Sequence, residues 1–146
     1  MRRWRWAVAV GALGLIWLAT RGVDLPSIAA DEEPPARVER VEGSDLKRII
    51  LTAKAASRLG IQIADVTEEK VADKTAKMVP YAALIYDPTG ATWVYTNPQE
   101  RVFLRHRVVV DNIAADRVVL SEGPAAGVKI VTVGVAELYG VENGLG

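Results

Sequence analysis

The chain has 146 residues, of which 50% are hydrophobic and 25% are charged. This composition excludes a disordered chain and a multi-pass membrane protein, and the formal net charge of zero offers no basic field for nucleic acid. The chain has no cysteine, which excludes disulfides, thiolate metal sites, cysteine nucleophiles and a lipid-modified N-terminal cysteine.

Residues 1–22 have the pattern of an export signal. Arg2, Arg3 and Arg5 precede an uncharged apolar run at 7–19, and Arg21 follows it. The pattern predicts a cleaved signal peptide or an uncleaved signal anchor, the run being shorter than the ~20 residues that a span needs. A buried core helix is the alternative. The positive-inside rule places the rest of the chain outside the cytoplasm, either anchored to the membrane or released as a periplasmic or secreted protein.

Residues 23–44 are predicted to be a disordered linker. They hold Pro26, Pro34 and Pro35, a run of charges and few large apolar residues. Such a segment cannot bury enough surface to order itself, so it is expected to act as a semi-extended tether. The folded domain is then expected to cover residues 45–146.

The first part of this domain alternates between strand and helix signals. RIIL at 48–51 predicts a strand, and Thr52 offers an N-cap for the helix-forming AKAASRL that follows. Gly60 is placed to end that helix. IQIADV at 61–66 alternates as a half-buried strand does, and 71–79 predicts a further strand with a weaker pattern.

The second part consists of short strands separated by turns. Residues 83–86 and 91–96 flank Asp87-Pro88-Thr89-Gly90, which fits a type I turn, so they predict a hairpin. Strands are also predicted at 102–110, 117–121 and 129–133, with turns at 97–100 and 111–116 and one helical turn at 135–139. The fold class is therefore mainly β: a small antiparallel barrel or sandwich with one short helix, preceded by an N-terminal hydrophobic helix.

Aromatic and glycine residues recur through these strands in a defined order. PYAALIY at 80–86 is followed by TWVY at 92–95, then by LSEGP at 120–124 and IVTVG at 130–134. The order and spacing resemble the return segment of periplasmic adaptor subunits, the membrane fusion proteins of RND-type efflux pumps related to the haemolysin D group. The residues that carry this resemblance are Tyr81, Tyr86, Gly90, Trp93, Tyr95, Gly123, Gly127 and Gly134.

The resemblance extends over residues 48–146, because 50–61 resembles the segment that opens the same domain. It implies β-barrel and membrane-proximal domains without a cofactor, and an inner-membrane transporter or full-length adaptor subunits as partners. Only residues 67–78 separate the matching pieces, too few for the family's lipoyl-like domain and helical hairpin. The hairpin's role at an outer-membrane channel is therefore not implied.

A candidate partner-contact patch follows from one strand. Arg101, Phe103, Arg105 and Arg107 share a strand face and form a basic and aromatic patch for a partner or an anionic ligand. The alternative is a solvated strand face that discourages edge pairing.

Two further sets of residues have a structural and a functional interpretation. Trp93, Tyr95, Tyr81 and Tyr86 are expected to be core anchors more than a binding surface. His106 is the only histidine, lies between two arginines that disfavour its charged form, and has no metal-ligand partner at regular spacing.

No nucleophile motif or phosphate loop occurs in the sequence. The sequence thus favours a non-enzymatic accessory or adaptor-like module of a membrane efflux complex. The alternative is an exported β domain that binds a small molecule or metal, and an enzyme is the least favoured class.

Overall fold

A computed structural model describes residues 33–145 of the protein. The predicted signal or anchor at 1–22 and the first part of the predicted linker lie outside these residues. The described strands and helices are β1 (Ala36–Arg40), β2 (Lys47–Leu51), α1 (Ala53–Leu59), β3 (Gln62–Asp65), β4 (Thr67–Val71), β5 (Lys74–Pro80), a 3₁₀ turn (Tyr81–Ala83), β6 (Ile85–Tyr86), β7 (Thr92–Gln99), β8 (Val102–Ala114), β9 (Arg117–Glu122), β10 (Lys129–Val133) and α2 (Val135–Glu142). No helix within this range has the length and apolarity required to cross a membrane.

The strands form one antiparallel sheet that curls into a half-barrel. Its main order is β3-β10-β7-β8-β9-β5-β4, with β2 beside the start of β8, β1 beside β2, and β6 beside β7. The two end strands, β3 and β4, are separated in the chain by Val66 alone, whose N–H bonds the Val128 carbonyl at 2.9 Å. The ends of the sheet are therefore tied together by the chain itself, and this requires the sheet to curl. A mainly β, antiparallel fold is confirmed, with two short α-helices where one was expected.

Strands β7 and β10 have a hydrophobic core on each face. Val94 and Tyr95 are both fully buried, as are Ile130 and Val131, and consecutive residues of a strand point to opposite faces. The aliphatic core inside the curl contains Val66, Val79, Ala83, Val94, Val108, Val118, Leu120 and Ile130. The helix-side core on the other face contains Ile49, Leu51, Ala55, Tyr95, Phe103, Val131, Val135 and Leu138.

Helix α1 begins and ends where the sequence predicts. The Thr52 hydroxyl accepts a hydrogen bond from the Ala55 N–H at 3.2 Å, which satisfies one of the free amides of the first turn. Gly60 has φ = 60° and ends the helix in the left-handed conformation. Ala55 is buried in the helix-side core, with Ala56 and Leu59 packed at its border. The short helix is thus held by capping and packing together.

The predicted linker contains an element that local composition did not indicate. Within residues 33–44, Ala36–Arg40 forms β1, which pairs with β2 from Ala36 opposite Leu51 to Arg40 opposite Lys47. The charges of this segment remain exposed, so its sequence resembles a linker, but an ordered partner strand supplies the backbone hydrogen bonds.

The predicted strand at 71–79 is in fact the second half of a hairpin. The turn lies at Ala72 and Asp73, which have φ of 45° and 51° without being glycine. This turn joins β4 to β5, so β5 begins after the turn and not at residue 71. The sequence pattern did not indicate β4, because no Gly or Pro marks the turn that separates it from β5. Strand β7 extends to Gln99 and β8 extends to Ala114, so each runs into the turn that was predicted to follow it. The observed turns therefore have two residues each, the first ending at Arg101 and the second beginning at Ala115.

Candidate functional site

The β6–β7 turn fixes the position of Trp93. Asp87 Oδ1 accepts hydrogen bonds from the N–H groups of Thr89 at 2.8 Å and Ala91 at 3.0 Å, and from the Thr89 hydroxyl at 2.6 Å. Asp87 Oδ2 accepts from the Trp93 indole N–H at 3.0 Å. These bonds, the Thr89 hydroxyl foremost, lower the pKa of Asp87 to about 2 against a smaller opposing effect of desolvation. The predicted turn is confirmed, and it also orients the indole ring.

Two arginines of β8 lie against Trp93. Cross-strand pairing sets Arg107 opposite Trp93 and Arg105 opposite Tyr95. The Arg105 guanidinium lies 4.7 Å from the centre of the indole and 5.7 Å from that of Tyr139, and the Arg107 guanidinium lies 5.8 Å from the indole. All are within the range of a cation–π contact. We call the set Trp93, Arg105, Arg107 and Tyr139 the Arg–Trp surface.

A buried carboxylate supports this surface from below. Arg105 Nε lies 3.0 Å from Glu142 Oε1 and 2.9 Å from Oε2, and the Tyr95 hydroxyl donates to Oε2 at 2.5 Å. The Glu142 side chain is 1% exposed, and its backbone carbonyl accepts from Lys47 Nζ at 2.9 Å. Burial, and secondly the hydrogen bond to this carboxylate, raise the pKa of Tyr95. The network fastens the end of α2 to the sheet.

The sequence patterns did not indicate Glu142, because the helical turn predicted at 135–139 ends before it, whereas α2 continues to Glu142. One signal was present: Val135, Leu138 and Glu142 are spaced so that they share one face of a helix, and the first two are apolar. An acidic residue on the apolar face of a helix indicates a buried partner of opposite charge.

The structure brings together only part of the predicted contact patch. Arg105 and Arg107 meet at Trp93, but Phe103 is 2% exposed and belongs to the helix-side core. Arg101 lies in the turn before β8, six residues from Arg107 and thus about 20 Å away along the strand. The partner contact itself remains a prediction, now on a smaller set of residues.

The aromatic residues divide between core and surface. Tyr95 is a core anchor as expected, and Trp93 is half-buried. Tyr81 and Tyr86 are 47% and 51% exposed, so they are not core residues, because they lie in the 3₁₀ turn and at the end of the short β6.

The glycines of the resemblance serve the backbone. Gly90, Gly127 and Gly134 all have positive φ, and at Gly134 a Cβ would lie 2.3 Å from Ile61 Cδ1. Gly123 has no positive φ, but a Cβ there would lie 2.8 Å from Leu120 Cδ1. Their recurrence is thus explained by chain geometry.

His106 lies outside the Arg–Trp surface. Its pKa is lowered chiefly by partial burial of the ring and secondly by the charge of Lys77, so the flanking arginines are not the cause that was expected. Among residues 33–145, no group of three or more His, Cys, Asp or Glu side chains is placed to hold a metal ion.

The comparison with solved structures finds a match of low similarity. It is the NMR structure of a 180-residue part of SilB from Cupriavidus metallidurans CH34 that encompasses the N-terminal metal-binding site and the membrane proximal domain. The identity is 21% and the TM-score is 0.45, and the match covers 67% of this chain and 61% of that chain. The present chain therefore spans less than two thirds of that SilB segment. No family model and no curated protein matches the sequence.

Proposed function

We propose that this protein is a non-enzymatic, extracytoplasmic adaptor-like module of a membrane efflux complex, and that the Arg–Trp surface contacts its protein partner. The proposal is supported by the ordered sequence resemblance over residues 48–146. It is also supported by the fold, since the segments that carry the resemblance pair with one another in one curled sheet. The partner is an inner-membrane transporter or a full-length adaptor subunit.

The observation that carries the contact site is the fixed geometry of Trp93, beside which the exposed Arg107 lies. Trp and Arg are among the residue types that dominate binding energy at protein interfaces. Here the indole is hydrogen-bonded to Asp87 and stacked on Arg105, which is itself bonded to Glu142. A surface that is ordered before binding loses less side-chain entropy when the partner docks.

The charge of the surface indicates what it contacts. Arg107 is exposed, and no described residue forms an ion pair with it, whereas Arg105 is already paired with Glu142. One cation beside an aromatic face suits an acidic side chain on the partner, flanked by apolar surface.

Co-purification tests the proposal. The full chain, extracted from membranes in mild detergent, is expected to bring down an RND or ABC transporter, and Arg107→Glu to lose most of it. Arg101→Glu is the matched control, because it reverses the other exposed arginine of the predicted patch at the far end of β8. A soluble monomer without a membrane partner, or equal binding by both variants, contradicts the proposal.

The alternative, an exported domain that binds an anionic small molecule, predicts a different result. A ligand that binds the native state raises the melting temperature in a concentration-dependent manner. If candidate anions raise the melting temperature of the wild type and not of Arg107→Glu, while no transporter co-purifies, the Arg–Trp surface is a ligand site and the adaptor proposal fails.

A further inference from the structure

Within the part of the chain that the structure describes, strand β1 has one edge without a partner strand. Among residues 33–145 it pairs with β2 alone. Two hydrogen bonds show which of its residues point toward β2: the Thr52 N–H donates to the Pro35 carbonyl, and the Val41 N–H donates to the Leu46 carbonyl, both at 3.0 Å. Because antiparallel ladders alternate, the odd-numbered residues of β1 direct their backbone groups toward β2.

The even-numbered residues therefore direct their N–H and C=O groups to the free edge. These are Ala36, Val38 and Arg40. Val38 lies opposite the fully buried Ile49, on the same face of the sheet, but is itself 42% exposed. The edge thus offers both unpaired backbone groups and an apolar side chain.

The charge order along β1 complements itself. In an antiparallel pair of two β1 strands centred on Val38, Arg37 of each copy lies opposite Glu39 of the other, and the two Val38 side chains are neighbours. Centring the pair on Arg37 places arginine opposite arginine, and centring it on Glu39 places glutamate opposite glutamate. Of these three arrangements, which are centred within β1, only the one about Val38 matches opposite charges on both sides.

We propose that two copies of this chain associate through β1, antiparallel and centred on Val38. The pairing is isologous, as expected of a symmetric dimer, and it forms about six backbone hydrogen bonds through Ala36, Val38 and Arg40. Charged residues on an edge strand otherwise serve to prevent pairing. At β1 the order of the charges disfavours the registers centred on Arg37 and on Glu39 and favours the register centred on Val38. The edge is therefore complementary to a second copy of the same strand.

Single cysteines test the geometry directly, because the native chain has none. In a hydrogen-bonded pair the two Val38 Cα atoms lie about 5.5 Å apart, within reach of a disulfide. Mild oxidation of the full-length Val38→Cys protein in detergent is therefore expected to give a covalent dimer. Arg40→Cys is the control: it is exposed on the same strand, but the two copies of residue 40 lie about 13 Å apart along the edge.

A low yield of the Val38→Cys dimer, or equal yields from both variants, overturns the proposal. Equal yields would show that the micelle or a different contact brings the chains together. Cross-linking of Val38→Cys in membranes to another protein, without the homodimer, would assign the edge to a foreign strand and also overturn it.

A charge exchange tests the register. Arg37→Glu and Glu39→Arg each place like charges opposite one another and are expected to weaken association about ten-fold, measured by light scattering over a dilution series. The double variant restores opposite pairs and is expected to return to the wild-type association. Both side chains are exposed, and the Arg37–Glu33 ion pair is exposed as well, so Arg37→Glu should melt near the wild type. Glu39 lies opposite Arg48 of β2, so the two variants that carry Glu39→Arg are expected to melt slightly below it. A double variant that associates no better than the single variants contradicts the register.

Discussion

The two cores of this domain share strands β7 and β10 but are stabilised in different ways. The aliphatic core is built from Val, Ala, Leu and Ile side chains alone. The helix-side core has Tyr95 and Phe103 among its members and borders the buried Arg105–Glu142 pair. One strand thus contributes to an apolar interior on one face and to a partly polar one on the other, which shows that burial by itself does not exclude charge.

The difference reflects what each core must position. The aliphatic core is enclosed by paired strands, whose hydrogen bonds already fix them. Helix α2 has eight residues and no side-chain N-cap, so it cannot be stable without tertiary contacts. A buried ion pair adds little net stability but is specific in geometry, and Glu142 thereby fixes where α2 docks.

The largest expected effect lies in the aliphatic core. Ile130→Ala leaves a cavity at a fully buried position and should lower the free energy of unfolding by about 3–4 kcal/mol, measured by urea denaturation. Ile63→Ala is the matched control, since Ile63 is on the adjacent β3 and 45% exposed, and it should cost below about 1 kcal/mol. Equal losses would mean that burial of Ile130 in the aliphatic core is not the source of the effect.

The second-largest effect on stability is expected from removing the buried charge of Glu142, at the border of the helix-side core. Glu142→Gln keeps the size of the side chain but leaves Arg105 without its counter-charge, and should cost about 2–3 kcal/mol. The control is Glu137→Gln, an exposed residue of the same helix, for which about 0.5 kcal/mol is expected from the helix dipole. If Glu142→Gln costs no more than the control, the network does not hold α2.

Substitution of two glycines distinguishes the cost of a strained backbone from the cost of a packing clash. Gly134 lies at the start of α2, and Gly127 lies in the loop before β10. Gly134→Ala adds a Cβ 2.3 Å from Ile61 Cδ1 at φ = 93°, whereas Gly127→Ala at φ = 82° meets open space. Both should lose about 1 kcal/mol from the positive φ, and Gly134→Ala about 1 kcal/mol more from the clash. When Ile61→Ala is already present, Gly134→Ala should cost no more than Gly127→Ala, because the atom that clashes is gone. If the additional cost of Gly134→Ala persists, it comes from the backbone alone.

The smallest expected effect is the pH dependence of the Trp93 support. The folded pKa of Asp87 is about 2, below its ordinary 3.8, so its contribution to stability is present above pH ~4 and is lost as the pH falls toward 2. Asp87→Asn should therefore have a flatter melting temperature between pH 4 and 2 than the wild type. Thr89→Val, which removes the largest cause of the shift, should flatten it in part. Parallel profiles for all three proteins would contradict this assignment.

Local sequence signals predicted the elements that depend on local physics. The cap at Thr52, the left-handed end at Gly60 and the Asp87–Gly90 turn were predicted correctly, because each depends on the chemistry of a few neighbouring residues. Strand β10 was also placed correctly, at 129–133, because strands buried on both faces form continuous apolar runs.

Part of the candidate site could be predicted as well. The alternation of β8 placed Arg105 and Arg107 on one face, but their contact with Trp93 depends on the pairing of β7 with β8, which the local patterns did not predict. The burial of Phe103 could not be predicted, since which face of β8 is covered depends on the docking of β2.

The sequence by itself determined the mainly β class, the capped helix α1 and the turn chemistry, since these depend on side-chain periodicity and on short-range hydrogen bonds. Only the tertiary structure decided that Ala36–Arg40 is a strand, that Glu142 is buried against Arg105 and Tyr95, and that β7 separates two cores. The physical reason is that each of these depends on partners far away in the chain, whose contacts a local pattern does not contain.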